Sequence, residues 1–441
     1  MKDRGAFPAK EDYNMNEKIQ ALMDFLDASR SVYHAVSYIS NILDRAGYIQ
    51  LPEGDDWTLE DGGKYYITRN MSTVIAFRIP HGEPAGFLLS ASHSDRPSFK
   101  IKENGELESK YIRLATERYG GMLMAPWMDR PLSVAGRVMV ETPTGARMKL
   151  VDIDKDLMII PNVAIHMNRK VNDGYAYNPA TDTIPLLGDR DVKGMFGRMI
   201  AEQAGGRILG HDLFLYLRQK SSVWGIEQEF ISSQALDDLQ CAWACLQGFL
   251  NAEESGSVPM YCVFDSEEVG SRSVSGADST MLTSTMDRIA RYLDTDLSRM
   301  MSQSFLVSAD NAHAIHPNHP ELADPNNAPV MNGGIVVKFN ASQRYTTDAV
   351  AAAVFRSVCN RAGVPTQTYY NRPDIPGGST LGYVSLTHVS VPTADIGLAQ
   401  LAMHSCYETA GVYDSIYLEK AMTTYFSSTL TVTRDGEYII V

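Results

Sequence analysis

Four apolar runs in this chain end in side chains of metal-ligand type. FLLSA runs into His93, Ser94 and Asp95, and YCVF into Asp265, Ser266, Glu267 and Glu268. FLVSA runs into Asp310, Asn311, Ala312 and His313, and LAQLAM, just after VPTADIG, into His404. The segment ALDDLQCA adds Asp237 and Asp238 at the start of a helix-like stretch. Imidazoles and carboxylates in this mixture suit zinc, with manganese or cobalt as alternatives. With one shared carboxylate they suit two ions about 3.5–4 Å apart, a pair that activates a water and polarises a carbonyl. A general base must still take the proton from that water. The adjacent pair Glu267-Glu268 offers a division of labour. In an extended segment successive side chains point opposite ways, so one glutamate can bind metal while the other faces the water. Each signal is weak alone. Acidic pairs are mostly solvated surface, and Asp237 and Asp238, taken alone, read better as helix caps. Their force comes from repetition at one position, the end of an apolar run.

The elements that must place these groups are legible as patterns. NEKIQALMDFLDAS and SVYHAVSYISNILDRAGY space apolar residues three and four apart, which predicts two helices over 16–47. KYYITRN, TVIAFRIP and AGFLLSA read as strands. From about 99 to 232 the texture becomes β-rich, with LSVAGRVMVE, RMKLVDI and DLFLYLRQ between turn residues and one helical segment, DVKGMFGRMIAEQAG. From 235 an α/β rhythm returns: a helix at LDDLQCAWACLQGFLNAEE, strands at PMYCVFD, SFLVSAD, GGIVVKF and VPTADIG, and helices at TSTMDRIARYL and DAVAAAVFRSVCNRAG. This alternation predicts a mixed, mainly parallel sheet with helices on both faces. In such sheets ligands gather beyond the carboxyl ends of the strands, where these polar groups stand. The expected organisation is a discontinuous α/β domain, 1–98 and 233–441, interrupted by a mostly β insertion, 99–232.

Composition narrows the class. The chain has 441 residues, 44% of them hydrophobic, enough for a large core. Its 39 basic and 53 acidic residues give a net charge of −14, which disfavours nucleic acid and anionic membrane as partners. The five cysteines, 241, 245, 262, 359 and 406, show no CxxC spacing and read as reduced thiols of a cytoplasmic protein. The start, MKDRGAFPAKEDYN, has no apolar stretch of signal-peptide type, and no run reaches the length of a membrane span.

The ordered set of motifs resembles the aspartyl aminopeptidase family of dinuclear metallopeptidases over nearly the whole length. The resemblance is carried by HSDRPSFKIK, YGGMLMAPWMDRPLSVAGRV, IPNVAIHMNRKVND, ALDDLQCA, FDSEEVGSRSVSGADS, SADNAHAIHPNHP, GGIVVKFNASQRYTTDAV, GGSTLG and LAQLAMHS. It implies that His93, Asp237 and Asp310 hold one zinc ion and Asp237, Glu268 and His404 the other, with Asp237 bridging. It implies Glu267 as general base, and His313, Lys338 and Tyr345 beside the substrate, with Glu267 and Asp310. His166 matches a histidine that reaches a neighbouring subunit's site, which would make the insertion a dimerisation domain. The family assembles as closed oligomers, typically dodecamers built from dimers, and acts on peptides with acidic first residues. Read without the resemblance, Lys338 is a lone cation in an apolar strand that calls for a carboxylate partner or snorkels from an edge. His166 reads as a packed histidine, and Asp265 has no role. Arg96 and Asp238 depart from the usual family pattern, which bears on substrate preference. Two rival functions share the same residues: a deacylase or other amidohydrolase, which needs no free amine, and a non-catalytic peptide-binding scaffold.

Overall fold

The computed structural model describes residues 9–382 and 387–441, with side chains from residue 15 onward. The first eight residues of the charged N-terminal stretch lie outside the described residues.

A nine-stranded mixed sheet organises the α/β part. Its central strands, Val258–Phe264, Phe87–His93, Phe305–Ala309 and Thr393–Gly397, lie side by side and parallel. These are the runs that precede the candidate ligands, so all of their carboxyl ends open on one side. Lys64–Arg69 and Thr73–Arg78 extend the sheet antiparallel on one flank. On the other, Ile335–Phe339 runs antiparallel to Thr393–Gly397 and parallel to Thr366–Tyr370.

Both faces of the central strands are buried, as near-continuous apolar strands require. Leu88, Tyr261 and Val263 point into one core, closed by the helices Val32–Arg45, Leu236–Asn251, Ala349–Ala362 and Val412–Phe426. Leu89, Met260 and Cys262 point into the other, closed by Met281–Tyr292. The helix Ala9–Ala28 starts earlier than its apolar spacing suggests, and its Phe25 stacks on Trp243 at 5.1 Å. Burial of a side chain of that size contributes about 1.5–3 kcal/mol.

A six-stranded antiparallel sheet occupies the β-rich region, in the order Gly145–Asp152, Leu132–Thr142, Ile208–Leu217, Ser98–Glu108, Tyr111–Tyr119, Leu186–Asp189. The helix Met195–Ala204 packs on it. A five-stranded sheet joins the two regions: Ser222–Trp224, Phe230–Ser233, Glu408–Gly411, Ala399–Leu401 and Ala312–His313. It brings the chain before Asp237 alongside the chain after His404. All five cysteines are free and buried. Among the described residues no helix is long and apolar enough to cross a membrane.

Candidate metal centre

Each candidate ligand sits where the backbone leaves regular structure. His93 is the last residue of Phe87–His93, and Asp310 follows Phe305–Ala309 directly. Asp237 lies in the first turn of Leu236–Asn251 with non-helical torsions. Glu267 and Glu268 form a single 3-10 turn after Val258–Phe264. His404, with φ of 66°, follows Ala399–Leu401.

These groups converge on Asp237. Its Oδ1 lies 3.4 Å from His93 Nε2, and its Oδ2 lies 3.3 Å from His404 Nε2. Asp310 Oδ1 is 4.0 Å from His93 Nε2, and Glu268 Oε2 is 3.5 Å from His404 Nε2. Two sets result, His93–Asp237–Asp310 and Asp237–Glu268–His404, and in each the three donor atoms lie within 4.8 Å of one another. Asp237 belongs to both.

The donor chemistry fits zinc. His93 Nδ1 is 3.1 Å from the Asp95 carbonyl and His404 Nδ1 2.6 Å from the Gly121 carbonyl. Such contacts fix the tautomer and leave Nε2 free to bind. Asp237 Oδ1 and Glu268 Oε1 are buried without a hydrogen-bond partner, a state that native proteins avoid unless something else satisfies the group. Asp95, Asp237, Asp238, Glu267, Glu268, Asp310 and Glu408 crowd together, and burial raises the carboxyl pKa of Asp238, Glu267, Glu268, Asp310 and Glu408, with Glu267 and Glu408 at about 8 and Asp310 at about 6. Asp237 shifts the other way: burial opposes its ionisation, but His404 and His93 hold it below the usual range. Burial works against the charge on His404 as well, yet Asp237 and Glu408 raise it to about 9. Divalent cations would offset this concentration of negative charge.

Supporting residues fix the ligands from behind. Asp95 accepts the Glu267 N–H at 3.1 Å on Oδ1, and the Glu268 N–H at 3.2 Å and the Tyr119 hydroxyl at 2.7 Å on Oδ2. The extended geometry expected for the glutamate pair is therefore wrong. The chain turns instead, with Ser266 and Gly270 both at positive φ, and Asp95 pins both amides. A Cβ on Gly270 would meet nothing within 4 Å, so its φ of +93° is what calls for glycine. Neither Asp237 nor Asp238 caps its helix by side chain. Asp238 Oδ2 instead accepts the His93 N–H at 3.1 Å.

A cavity of about 310 Å³ opens over the sets, lined by Glu267, Asp310, His313, Lys338, Tyr345 and neighbours from both sides. The Glu267 carboxylate has no hydrogen-bond partner among the described residues and faces this space. Lys338 is buried, donates to the Asn311 carbonyl at 2.9 Å, and lies 3.9 Å from Asp310 Oδ2 and 5.4 Å from the Tyr345 ring centroid. Burial would lower its pKa, but Asp310, Tyr345 and Asp395 outweigh burial and raise it. The carboxylate partner that a lone strand cation calls for is thus Asp310. His313 lies exposed at the cavity rim. His166 is not brought to the sets; it sits in an exposed loop with Val163, Ile165 and Met167, so the packed-histidine alternative does not hold.

Sequence reading missed two residues here. Glu408 accepts the backbone N–H groups of two candidate ligands, Asp237 and His404, and nothing in its local pattern announces it. Asp395, fully buried in Thr393–Gly397, accepts from Thr346 and Thr380, each bond to the Oγ1 at 2.7 Å, and so ties down two loops of the cavity wall. A carboxylate inside an apolar strand was the available signal. Asp265 accepts from the Ser266 N–H and Ser275 Oγ, a structural role in the loop that carries the glutamates.

The family model described as aminopeptidase I zinc metalloprotease (M18) matches residues 25–426. This chain belongs to that family. A probable M18 family aminopeptidase 2 of Clostridium novyi (strain NT) is 43% identical over 422 residues, 92% of this chain and 98% of its own length. A protein of the same description in Pseudomonas aeruginosa is 39% identical over 421 residues, 93% of this chain and 98% of its own. Among solved structures, "Cryo-EM structure of the Ape4 and Nbr1 complex" contains a chain that matches with a TM-score of 0.91 at 32% identity, covering 96% of this chain and 88% of that one. "Structure of S. cerevesiae mApe1 dodecamer" matches with a TM-score of 0.82 at 27% identity, covering 93% and 97%. As an M18 member the protein is a metal-dependent aminopeptidase.

Proposed function

We propose that this M18 aminopeptidase works with two divalent ions, zinc by donor type, and Glu267 as general base. The observation that carries the reading is the split of Asp237, one oxygen toward His93 and the other toward His404, below Glu267, whose carboxylate has no hydrogen-bond partner among the described residues. When bound, the ions supply an activated water and Lewis-acid polarisation of the scissile carbonyl. Glu267 takes a proton from the attacking water at its carboxylate and returns it to the leaving amine. Asp95 keeps that carboxylate in place by holding both glutamate amides. The free α-amine of the peptide is received among the carboxylates of the sets. His313 and Tyr345 stand along the cavity for the substrate backbone. Lys338, a cation on the cavity wall, supports a preference for acidic first residues.

The β-rich region, 99–232, is read as an inserted dimerisation domain. The support is the exposed apolar loop around His166, with Met167 78% exposed, more than a free surface usually carries in one stretch. His166 would then enter a partner's site, and the assembly would be a homo-oligomer of the kind named for mApe1. Light scattering tests the assembly.

The activity test compares aminoacyl anilides with their N-acetylated forms across acidic and neutral first residues, with zinc added. The free-amine forms are expected to be cleaved and the acetylated forms spared. Equal cleavage of both would point to a deacylase. A folded protein that cleaves neither would be a binding scaffold.

A further inference from the structure

One carboxylate holds the backbones of two ligands at once. Glu408 Oε2 accepts the Asp237 N–H at 3.0 Å, and Glu408 Oε1 accepts the His404 N–H at 2.7 Å. Glu408 pairs with Ser233 across the five-stranded sheet, which places its side chain over the turn that leads to Asp237. It is 2% exposed. No lysine or arginine is hydrogen-bonded to it among the described residues. Burying a carboxylate beside the Asp237 carboxylate costs free energy, and an amide of the same size would avoid that cost. An amide would fail in another way. Both partners are N–H donors, and a glutamine offers one acceptor oxygen and one donor NH₂. The need for two acceptors accounts for a carboxyl group at this position.

The two partners are unevenly shared between the sets. Asp237 serves both, but His404 serves only Asp237–Glu268–His404. The set His93–Asp237–Asp310 draws His93 and Asp310 from adjacent strands of the central sheet. The second set draws on a 3-10 turn and a loop, and the His404 side chain is 33% exposed against 1% for His93. Besides Glu408, His404 is held by its contacts with Gly121 and Leu123, whose N–H reaches the His404 carbonyl at 3.0 Å. Its geometry therefore depends on such anchors, where that of His93 is built into a strand.

We propose that Glu408 is a positioning residue for the set Asp237–Glu268–His404, setting that set's metal affinity while leaving the set His93–Asp237–Asp310 nearly as it is. The inference rests on the two-ion reading above. The test is Zn²⁺ titration of metal-free wild type, E408Q and E408D against a chromophoric chelator, which resolves each equivalent without an activity assay. Wild type is expected to bind two equivalents. In E408Q one equivalent weakens by about 10–100-fold, the range for residues that support a ligand, and the other, which Glu408 reaches only through the shared Asp237, weakens far less. E408D keeps both acceptors on a shorter arm and recovers part of the loss. Equal weakening of both equivalents, no weakening of either, or E408D no better than E408Q would overturn the proposal. If E408Q does not fold, E408D alone decides: partial loss of one equivalent supports the proposal, and equal loss of both overturns it. A wild-type stoichiometry of one would overturn the two-ion reading itself, and the proposal with it, before any variant is compared.

Discussion

His404 Nε2 lies 3.3 Å from Asp237 Oδ2, while Oδ1 of the same carboxylate faces His93 at 3.4 Å. One buried side chain thus serves two donor sets, and most consequences of the structure follow from that sharing.

Replacing Asp237 by alanine should remove a ligand from both sets together. Metal analysis after dialysis should show both equivalents weakened by more than about 100-fold, beyond the range for residues that merely support a ligand. His404→Ala should weaken only one. Retention of one tight equivalent in the Asp237 variant would show that the sets do not share it.

Glu267 lies outside both donor sets and lines the cavity above them, and in the proposed function it is the general base. Glu267→Gln should keep both ions and lose about 10²–10⁴-fold in kcat, the usual contribution of a general base. The paired readings are metal content and turnover of an aminoacyl anilide. Near-normal turnover in the metal-loaded variant would remove Glu267 from the role of base.

The crowding of carboxylates makes stability depend on pH and on metal. In the metal-free protein burial holds the Glu267 and Glu408 carboxyls at about 8 and Asp310 at about 6. Above the ordinary carboxylate range the unfolded chain has released these protons and the folded chain has not. The unfolded state then binds fewer protons, so stability falls as pH rises toward about 8. His404, raised to about 9 with Asp237 as its main partner, adds a loss in the same direction. Zinc needs the deprotonated ligands, so its stabilisation grows over the same window. Thermal unfolding should show a lower Tm for the metal-free protein at about pH 8 than at about pH 6, and a larger rise on adding zinc at the higher pH. A zinc effect independent of pH would contradict this.

Asp395 ties Thr346, next to Tyr345, and Thr380 to one strand. Asp395→Ala frees both loops of the cavity wall and leaves their donors unmet, at about 1–3 kcal/mol each. Steady-state kinetics should show KM raised several-fold more than kcat is lowered, with zinc content unchanged. Loss of metal would instead place the damage at the ligands.

Much of this centre was legible because metal chemistry restricts residue types and the sheet restricts where they stand. His93, Asp310 and the glutamate pair each end an apolar run, and those runs are parallel neighbours in the central sheet. What stayed hidden depends on contacts between distant segments. Glu408 lies in ordinary local sequence, and its importance comes from two backbone N–H groups, one of them 171 residues away. The 3-10 turn at Glu267 was unreadable because Asp95, from the loop after a neighbouring strand, holds it. The strands Ser98–Glu108 and Tyr111–Tyr119 escaped notice because Lys, Glu and Arg fill their outward positions and only residues such as Phe99, Ile101, Ile112 and Leu114 mark the buried face. Lys338 shows the converse: a cation inside an apolar strand raised a carboxylate partner as one of two readings, and the fold supplied Asp310, whereas the same kind of signal at Asp395 went unread.

The most direct test of the shared carboxylate is anomalous diffraction from zinc-loaded crystals at the zinc edge. Two peaks about 3.5–4 Å apart are expected, one beside His93 and Asp310, the other beside Glu268 and His404, with Asp237 between them. A single peak, or two peaks that Asp237 does not bridge, would contradict that sharing.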